Sequence, residues 1–419
     1  MYKHFLVILF FASSIGSIFG TEYRSVVDLY NPSDELYTIH QEIKFWNQKI
    51  KQNPGGFIYY PKIAAAFKGR FDVIGNPKDI ITAEHYLQQA LLHPLLDPVP
   101  LMIQLASVQM TQHRFCDALD LLQQAETIAP KKRSLQFALA DVYAELGFSD
   151  LEKDILNVYH GESDFQYSIR LAKWYDGQGD LEAAIKLLEE TKNKISLQSG
   201  INKNASWLYS NLGDFYGHAG QIDRARQHYI LALKKDPACW HAAQGLAWIS
   251  FSSEMDLVAT HQIINYVQRW CQAPALDFLK ADVLATEGKT VSAHTLRIVT
   301  VKNNELDNFG PMYVNHLMDV LLTNADNTSL SWVNDLLNQR QTPENYAYYV
   351  QYLLNTGQNE LAETIAIEEV WSQTSEPGLL FKILPSIQLN STIRQDILTQ
   401  LNQATFEIGP LVTREVAQL

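Results

Sequence analysis

Positive charge is scarce in this 419-residue chain: 33 Lys and Arg stand against 46 Asp and Glu, a net charge of −13. A surface of that sign repels phosphate backbones and anionic headgroups over most of its area, so nucleic acid is not an expected partner. Cysteine is sparse too. Cys116, Cys239 and Cys271 make an odd number, so at least one stays unpaired within the chain. H-E-x-x-H, G-x-S-x-G, the Walker loop and C-x-x-C are all missing, which weighs against the familiar zinc, hydrolase and NTPase designs. His218, His228 and His241 fall on different helices without the i, i+4 spacing that aims two imidazoles at one ion. Neither a metal nor another cofactor is expected. Glu189-Glu190 and Glu368-Glu369 are consecutive, point about 100° apart on a helix, and read as solvated faces rather than acid/base pairs.

One apolar segment stands out, at the start. Lys3 precedes a run from Phe5 to Phe11, and Ala12 to Gly20 turns small, with Gly16 or Gly20 as cleavage points. Residues 1–20 are expected to be a secretory signal peptide; an uncleaved anchor is the alternative, although the run is shorter than the roughly 20 residues that span hydrocarbon. An exported protein, periplasmic or secreted, with no stable membrane insertion after cleavage, is the expectation. Asn204-Ala-Ser206, Asn327-Thr-Ser329 and Asn390-Ser-Thr392 fit the glycosylation sequon, which matters only in a host that glycosylates exported proteins.

Beyond residue 20 the chain is organised by self-similarity. The clearest unit is Tyr209-x2-Leu212-Gly213-x2-Tyr216, then Gly220, Ala225-x3-Tyr229, Ala232-Leu233 and Pro237. Equivalent places fall at Leu105, Leu139, Leu171, Leu212, Leu246, Lys280, Val314 and Tyr349, in steps of 34, 32, 41, 34, 34, 34 and 35 residues. Each unit holds two stretches of helical apolar spacing split by a glycine such as Gly147, Gly179, Gly220, Gly288 or Gly357. Two antiparallel helices per unit are predicted, with Gly213, Ala225 and Ala232 where they approach closely and Leu212, Tyr216 and Tyr229 filling the remaining volume. One such pair cannot bury both apolar faces, so pairs must stack. The step of 41 places a surface loop between Ser196 and Asn204.

The Tyr-x2-Leu-Gly-x2-Tyr…Ala-x3-Tyr…Pro pattern resembles the tetratricopeptide repeat (TPR) family. That resemblance implies an all-α, right-handed superhelical solenoid. Gly75-Asn76-Pro77, His113-Arg114-Phe115 and Asp141-x3-Glu145-Leu-Gly147 further resemble a bacterial TPR family. The expected layout is residues 21–98 as N-terminal helices with an atypical first repeat, 99–376 as about eight repeats, and 377–419 as C-terminal capping helices with a short tail after Gly409-Pro410.

In TPR domains the first helices line the concave groove. Carried over by position, the resemblance implies a lining of Arg170 and Lys173, then Asn211, Asp214 and His218, then Gln244 and Trp248, with Asp282 beyond; Trp248 could equally pack between neighbouring first helices. Arg170 and Lys173 offer a basic edge and hence suit an acidic partner segment. The family's Lys/Asn/Arg clamp for a peptide carboxylate is missing, since Asp214 and Asp282 occupy that lining. The expected function is a non-catalytic protein-interaction scaffold or assembly factor; a small-molecule-binding protein or enzyme using the concave pocket is the main rival, and a passive spacer a third reading.

Cys239 and Cys271 lie almost one repeat apart, and equivalent points on stacked helices are about 8–10 Å apart, beyond the roughly 7 Å Cα separation of a disulfide. Titration of the denatured, unreduced chain should therefore find three free thiols; a single thiol would require a different stack.

Overall fold

Asn and Asp before several apolar stretches, and glycine after several, help set where the helices start and stop. The computed structural model describes residues 21–161, 164–195, 202–303, 310–322, 327–388 and 391–419. The expected leader (1–20), residues 196–201 of the expected loop, and the Asn390 sequon lie outside those residues. Every regular element among the described residues is helical.

Two helices, α1 (Thr21–Leu29) and α2 (Ser33–Gln52), precede the pairs. The pairs follow as α3 (Tyr60–Ile74) with α4 (Pro77–Leu91), α5 (Pro98–Thr111) with α6 (Phe115–Ile128), α7 (Arg133–Leu146) with α8 (Ser149–Val158), and α9 (Phe165–Gly177) with α10 (Leu181–Ile195). Next come α11 (Lys203–His218) with α12 (Ile222–Lys235), α13 (Trp240–Trp248) with α14 (Leu257–Val267), and α15 (Pro274–Thr286) with α16 (Thr290–Asn303). The last pairs are α17 (Val314–Leu321) with α18 (Asn327–Gln339) and α19 (Pro343–Asn355) with α20 (Asn359–Ile365), before α21 (Pro377–Ile383), α22 (Thr392–Gln403) and α23 (Thr405–Val416). They stack as a right-handed, TPR-like solenoid.

Local chemistry explains the boundaries. Side chains of Asn76, Asp97, Asp164, Asn202, Asp256 and Ser391 accept hydrogen bonds from first-turn amides, satisfying donors that the helix cannot. Between the two helices of several pairs the chain passes through a left-handed residue. Glycine supplies it at 147, 179, 220, 288 and 357, but His113 (φ 59°) and Met255 (φ 53°) take the same role where no glycine is present. Met255 follows a π-helical extension of α13 over Ile249–Ser253.

The repeats interlock through one aromatic ring. Tyr229 on α12 lies against Gly213 of its own pair, where a Cβ would come within 2.5 Å of the ring, and a Cβ on Gly245 of the next pair would strike it too. Around it Leu212, Tyr216, Ala232, Leu246 and Ala247 are fully buried. The core is continuous from α9 to α15.

Both ends fold back onto the stack instead of extending it. Helix α1 crosses α12, α13 and α14, burying Val26 and Tyr30 completely, while Arg226 binds both Glu22 and Glu254. The turn after α3 meets the α14–α15 loop: the Gln272 amide donates to the Ile74 carbonyl at 2.6 Å, and Asn76 Nδ2 donates to Gln272 Oε1 at 2.8 Å. A Cβ on Gly75 would come within 2.6 Å of Ala273, so only glycine fits that crossing. Farther round, Arg340 lies over the Phe115 ring and donates to the Glu145 carbonyl at 3.2 Å. The superhelix thus closes on itself. Cysteine has no bridging role: all three are free, Cys116 being exposed rather than a buried apolar filler, with its Sγ 3.4 Å from the Gln339 carbonyl.

Gly213→Leu should overpack the Tyr229 contact and cost about 1–3 kcal/mol or more. A chemical-denaturation midpoint equal to that of the wild type would show that these helices do not touch there.

Candidate functional site

A cleft of about 390 Å³ lies between α11, the start of α13 and the end of α3. Its walls carry Lys203, Trp207, Asn211, Asp214, Trp240 and His241, with Asp72, Asp236 and Cys239 beside them. Trp240 is fixed by its indole N–H, which donates to the Asp72 carbonyl at 3.2 Å, and Lys203 pairs with Glu35 of α2. The N-terminal helices are therefore part of the site.

Asp214 is its centre. The Tyr229 hydroxyl donates to Asp214 Oδ1 at 2.8 Å, and His241 Nε2 lies 2.9 Å from Oδ2. Burial works to lower the pKa of His241, but the hydrogen bond and charge of Asp214 outweigh it and hold the imidazole above its ordinary value. Half of its side-chain surface meets solvent. Burial pushes the Cys239 thiol up, so a nucleophilic thiolate is not favoured there at neutral pH. No group of three or more His, Cys, Asp or Glu suited to a metal ion occurs among the described residues.

The structure divides the seven residues that the sequence pattern groups together. Asn211 and Asp214 line the cleft, and Lys173 reaches its edge, its ammonium 5.9 Å from the Trp207 ring. Arg170 does not face a groove. Its Nη2 donates to Asp141 at 2.6 Å, its Nε to the Phe137 carbonyl at 3.2 Å, and its guanidinium covers the Phe137 ring, tying α9 to α7. Lys173 in turn faces Glu145 and Glu152; burial and the neighbouring Asp141 raise Glu152 to about 7, against the pull of Lys173. The expected basic edge is thus reduced, Arg170 being paired with Asp141 and Lys173 facing carboxyls of the preceding repeat. Glu189 also departs from expectation: it accepts from the Tyr216 hydroxyl at 2.8 Å and pairs with Lys192, instead of lying free in solvent.

Trp248 and His218 do not line this cleft; the C-terminal helix packs beside them. The expected short tail is the helix α23, kinked at Gly409 (φ 70°), and it lies across α11, α13 and α15. The Phe406 carbonyl accepts from Trp248 Nε1 at 3.0 Å and from Ser252 Oγ at 2.7 Å, while its ring lies over Gly217, where a Cβ would approach within 2.8 Å. Trp248 is thereby an internal anchor and not an open one. Gln244 sits on α13 between these two regions, one turn from each of His241 and Trp248. Asp282 is bound by Arg297. Sequence reasoning missed Trp207, Trp240, Lys203 and Phe406. Gly217 was the available signal, being a small inward residue with no large side chain of its own repeat to receive.

No protein-family model matches the chain, and no curated protein matches it. Solved structures do. TTC0263, a thermophilic TPR protein in Thermus thermophilus, is 15% identical, with 46% of this chain and 99% of that chain covered and a TM-score of 0.37. YrrB, described as a TPR protein with an unusual peptide-binding site, is 16% identical over 48% of this chain and 96% of that one, with a TM-score of 0.27. A human IFIT1 dimer with PPP-AAAA is 14% identical over 74% and 71%, with a TM-score of 0.47.

The docked α23 carries a strained carboxylate. Burial raises the Glu407 pKa, His218 opposes, and Glu376 and Asp176 add to the rise. A carboxyl whose folded pKa is raised contributes stability below its unfolded pKa and loses it as pH climbs through the folded one. Glu407→Gln should therefore raise the melting temperature at pH 7–8, with the difference from wild type closing near pH 4.

Proposed function

We propose that this chain is a non-catalytic interaction scaffold, acting outside the cytoplasm, that holds a segment of another protein in the cleft around Asp214. The observation that carries this reading is the cleft itself, walled by α11, the start of α13 and the end of α3, while the chain's own α23 packs farther along α11, α13 and α15. Two indoles, Trp207 and Trp240, border carboxylates at 72, 214 and 236. Flat aromatic walls beside carboxylates suit a basic or polar side chain of an extended segment, held by cation–π and charge-assisted hydrogen bonds. The same carboxylates disfavour nucleic acid. Location outside the cytoplasm rests on the leader-like residues 1–20, and no helix among the described residues is long and apolar enough to cross a membrane.

A small-molecule reading has one observation behind it, the cleft volume, which falls within the range of ligand pockets. Placing a photoreactive benzoylphenylalanine at Asn211 separates the two. Irradiation in the native host should give a discrete protein adduct, and Trp207→Ala or Trp240→Ala should weaken that partner by about 2 kcal/mol or more, roughly thirtyfold. An adduct indifferent to both substitutions, or a co-purifying small molecule with no protein adduct, overturns the scaffold reading. Cell fractionation tests the location, and a wholly cytoplasmic chain would refute it.

A further inference from the structure

Basic side chains are not spread evenly along this acidic chain. Between Glu42 and Asp72 there is no carboxylate, and Lys44, Lys49, Lys51, Lys62, Lys68 and Arg70 all fall in that stretch. Lys68 and Arg70 are bound by Asp72 and Asp79. Among the described residues the other four have no carboxylate partner, and they cluster around the end of α2 and the start of α3.

Exposed apolar side chains lie beside them. The loops at 53–59 and 91–97 run side by side, joined by the Phe57 ring stacked on His93 at 3.4 Å. From these loops Ile58, Leu92 and Leu95 stand 56%, 77% and 77% exposed. On α2, exposed Phe45 packs edge-on against Trp46 at 4.8 Å, Trp46 leans on Tyr59, and the Lys49 ammonium lies 5.4 Å from the Phe45 ring. The nearby acids are engaged: Glu42 accepts from the Trp46 indole and Asp97 caps α5.

Apolar side chains this exposed on neighbouring loops suit a partner that needs no preformed groove. Aliphatic tips, a belt of Trp and Tyr, and lysines on their flanks match the layers of a bilayer surface, where aromatics sit at headgroup depth and ammonium groups reach the phosphates. The rest of the surface, more acidic than the chain as a whole, is repelled by the same headgroups and leaves only this end to approach.

We propose that this end of the solenoid docks peripherally on an anionic lipid bilayer. Ile58, Leu92 and Leu95 enter the headgroup boundary, while Lys44, Lys49, Lys51 and Lys62 meet lipid phosphates; the Asp214 cleft is left free.

The test is flotation of the full chain with phosphatidylcholine vesicles, with and without 30% phosphatidylglycerol, in low and high salt. Binding is expected to anionic vesicles only, falling with salt. It should drop about ten- to hundredfold in K44Q/K49Q/K51Q and be lost in I58S/L92S/L95S, both of which substitute surface side chains and should melt like the wild type. Absence of vesicle binding overturns the proposal. So does equal binding to neutral vesicles unaffected by either variant, which would assign it to residues 1–20. Survival of binding in I58S/L92S/L95S also refutes insertion, and capture by immobilised polyglutamate without vesicle binding would make the patch a site for an acidic protein.

Discussion

The ring of Tyr229 occupies the space that glycine leaves at 213 and 245, and so touches the first helix of its own repeat and that of the next. One side chain thus sets two spacings, within a pair and between pairs. Its hydroxyl continues outward to Asp214, which positions His241. Core packing and the polar centre of the cleft are joined through a single residue, so the geometry of the site is only as firm as the stacking beneath it.

Helical repeats were legible because their cause is local. Apolar spacing, a left-handed residue between helices and small residues at the crossing are all written within one unit of about 34 residues. The exceptions are informative: His113 and Met255 adopt the left-handed conformation without being glycine, so a pattern keyed to glycine misses those turns although the helices on either side continue. Asn211 and Asp214 lie one turn apart on one helix, and both line the cleft.

What escaped the sequence depends on residues far apart in the chain. Arg170 looked free because Asp141 lies in the preceding repeat, and Trp248, equally able to line a groove or to pack between helices, is held by Phe406, 158 residues away. The same holds for the site's wall, since Asp72 and Trp240 meet only when the superhelix has closed. Charge balance is likewise a property of the assembled array: carboxylates from α7 and α8 face Lys173 on α9, which no single repeat could reveal.

Closure has a kinetic meaning. In an open array each unit leans only on its neighbours, and fraying can begin at either terminus. Here Asn76 and Gln272 are bonded across 196 positions of sequence, and Cys116 meets Gln339 across 223. Such distant pairings raise contact order, slow the final folding step, and bind both termini into one cooperative unit. A chain emerging from its N-terminus would hold the first pairs without their partners until residues near 270 and 340 are available, leaving the inner face exposed for that interval.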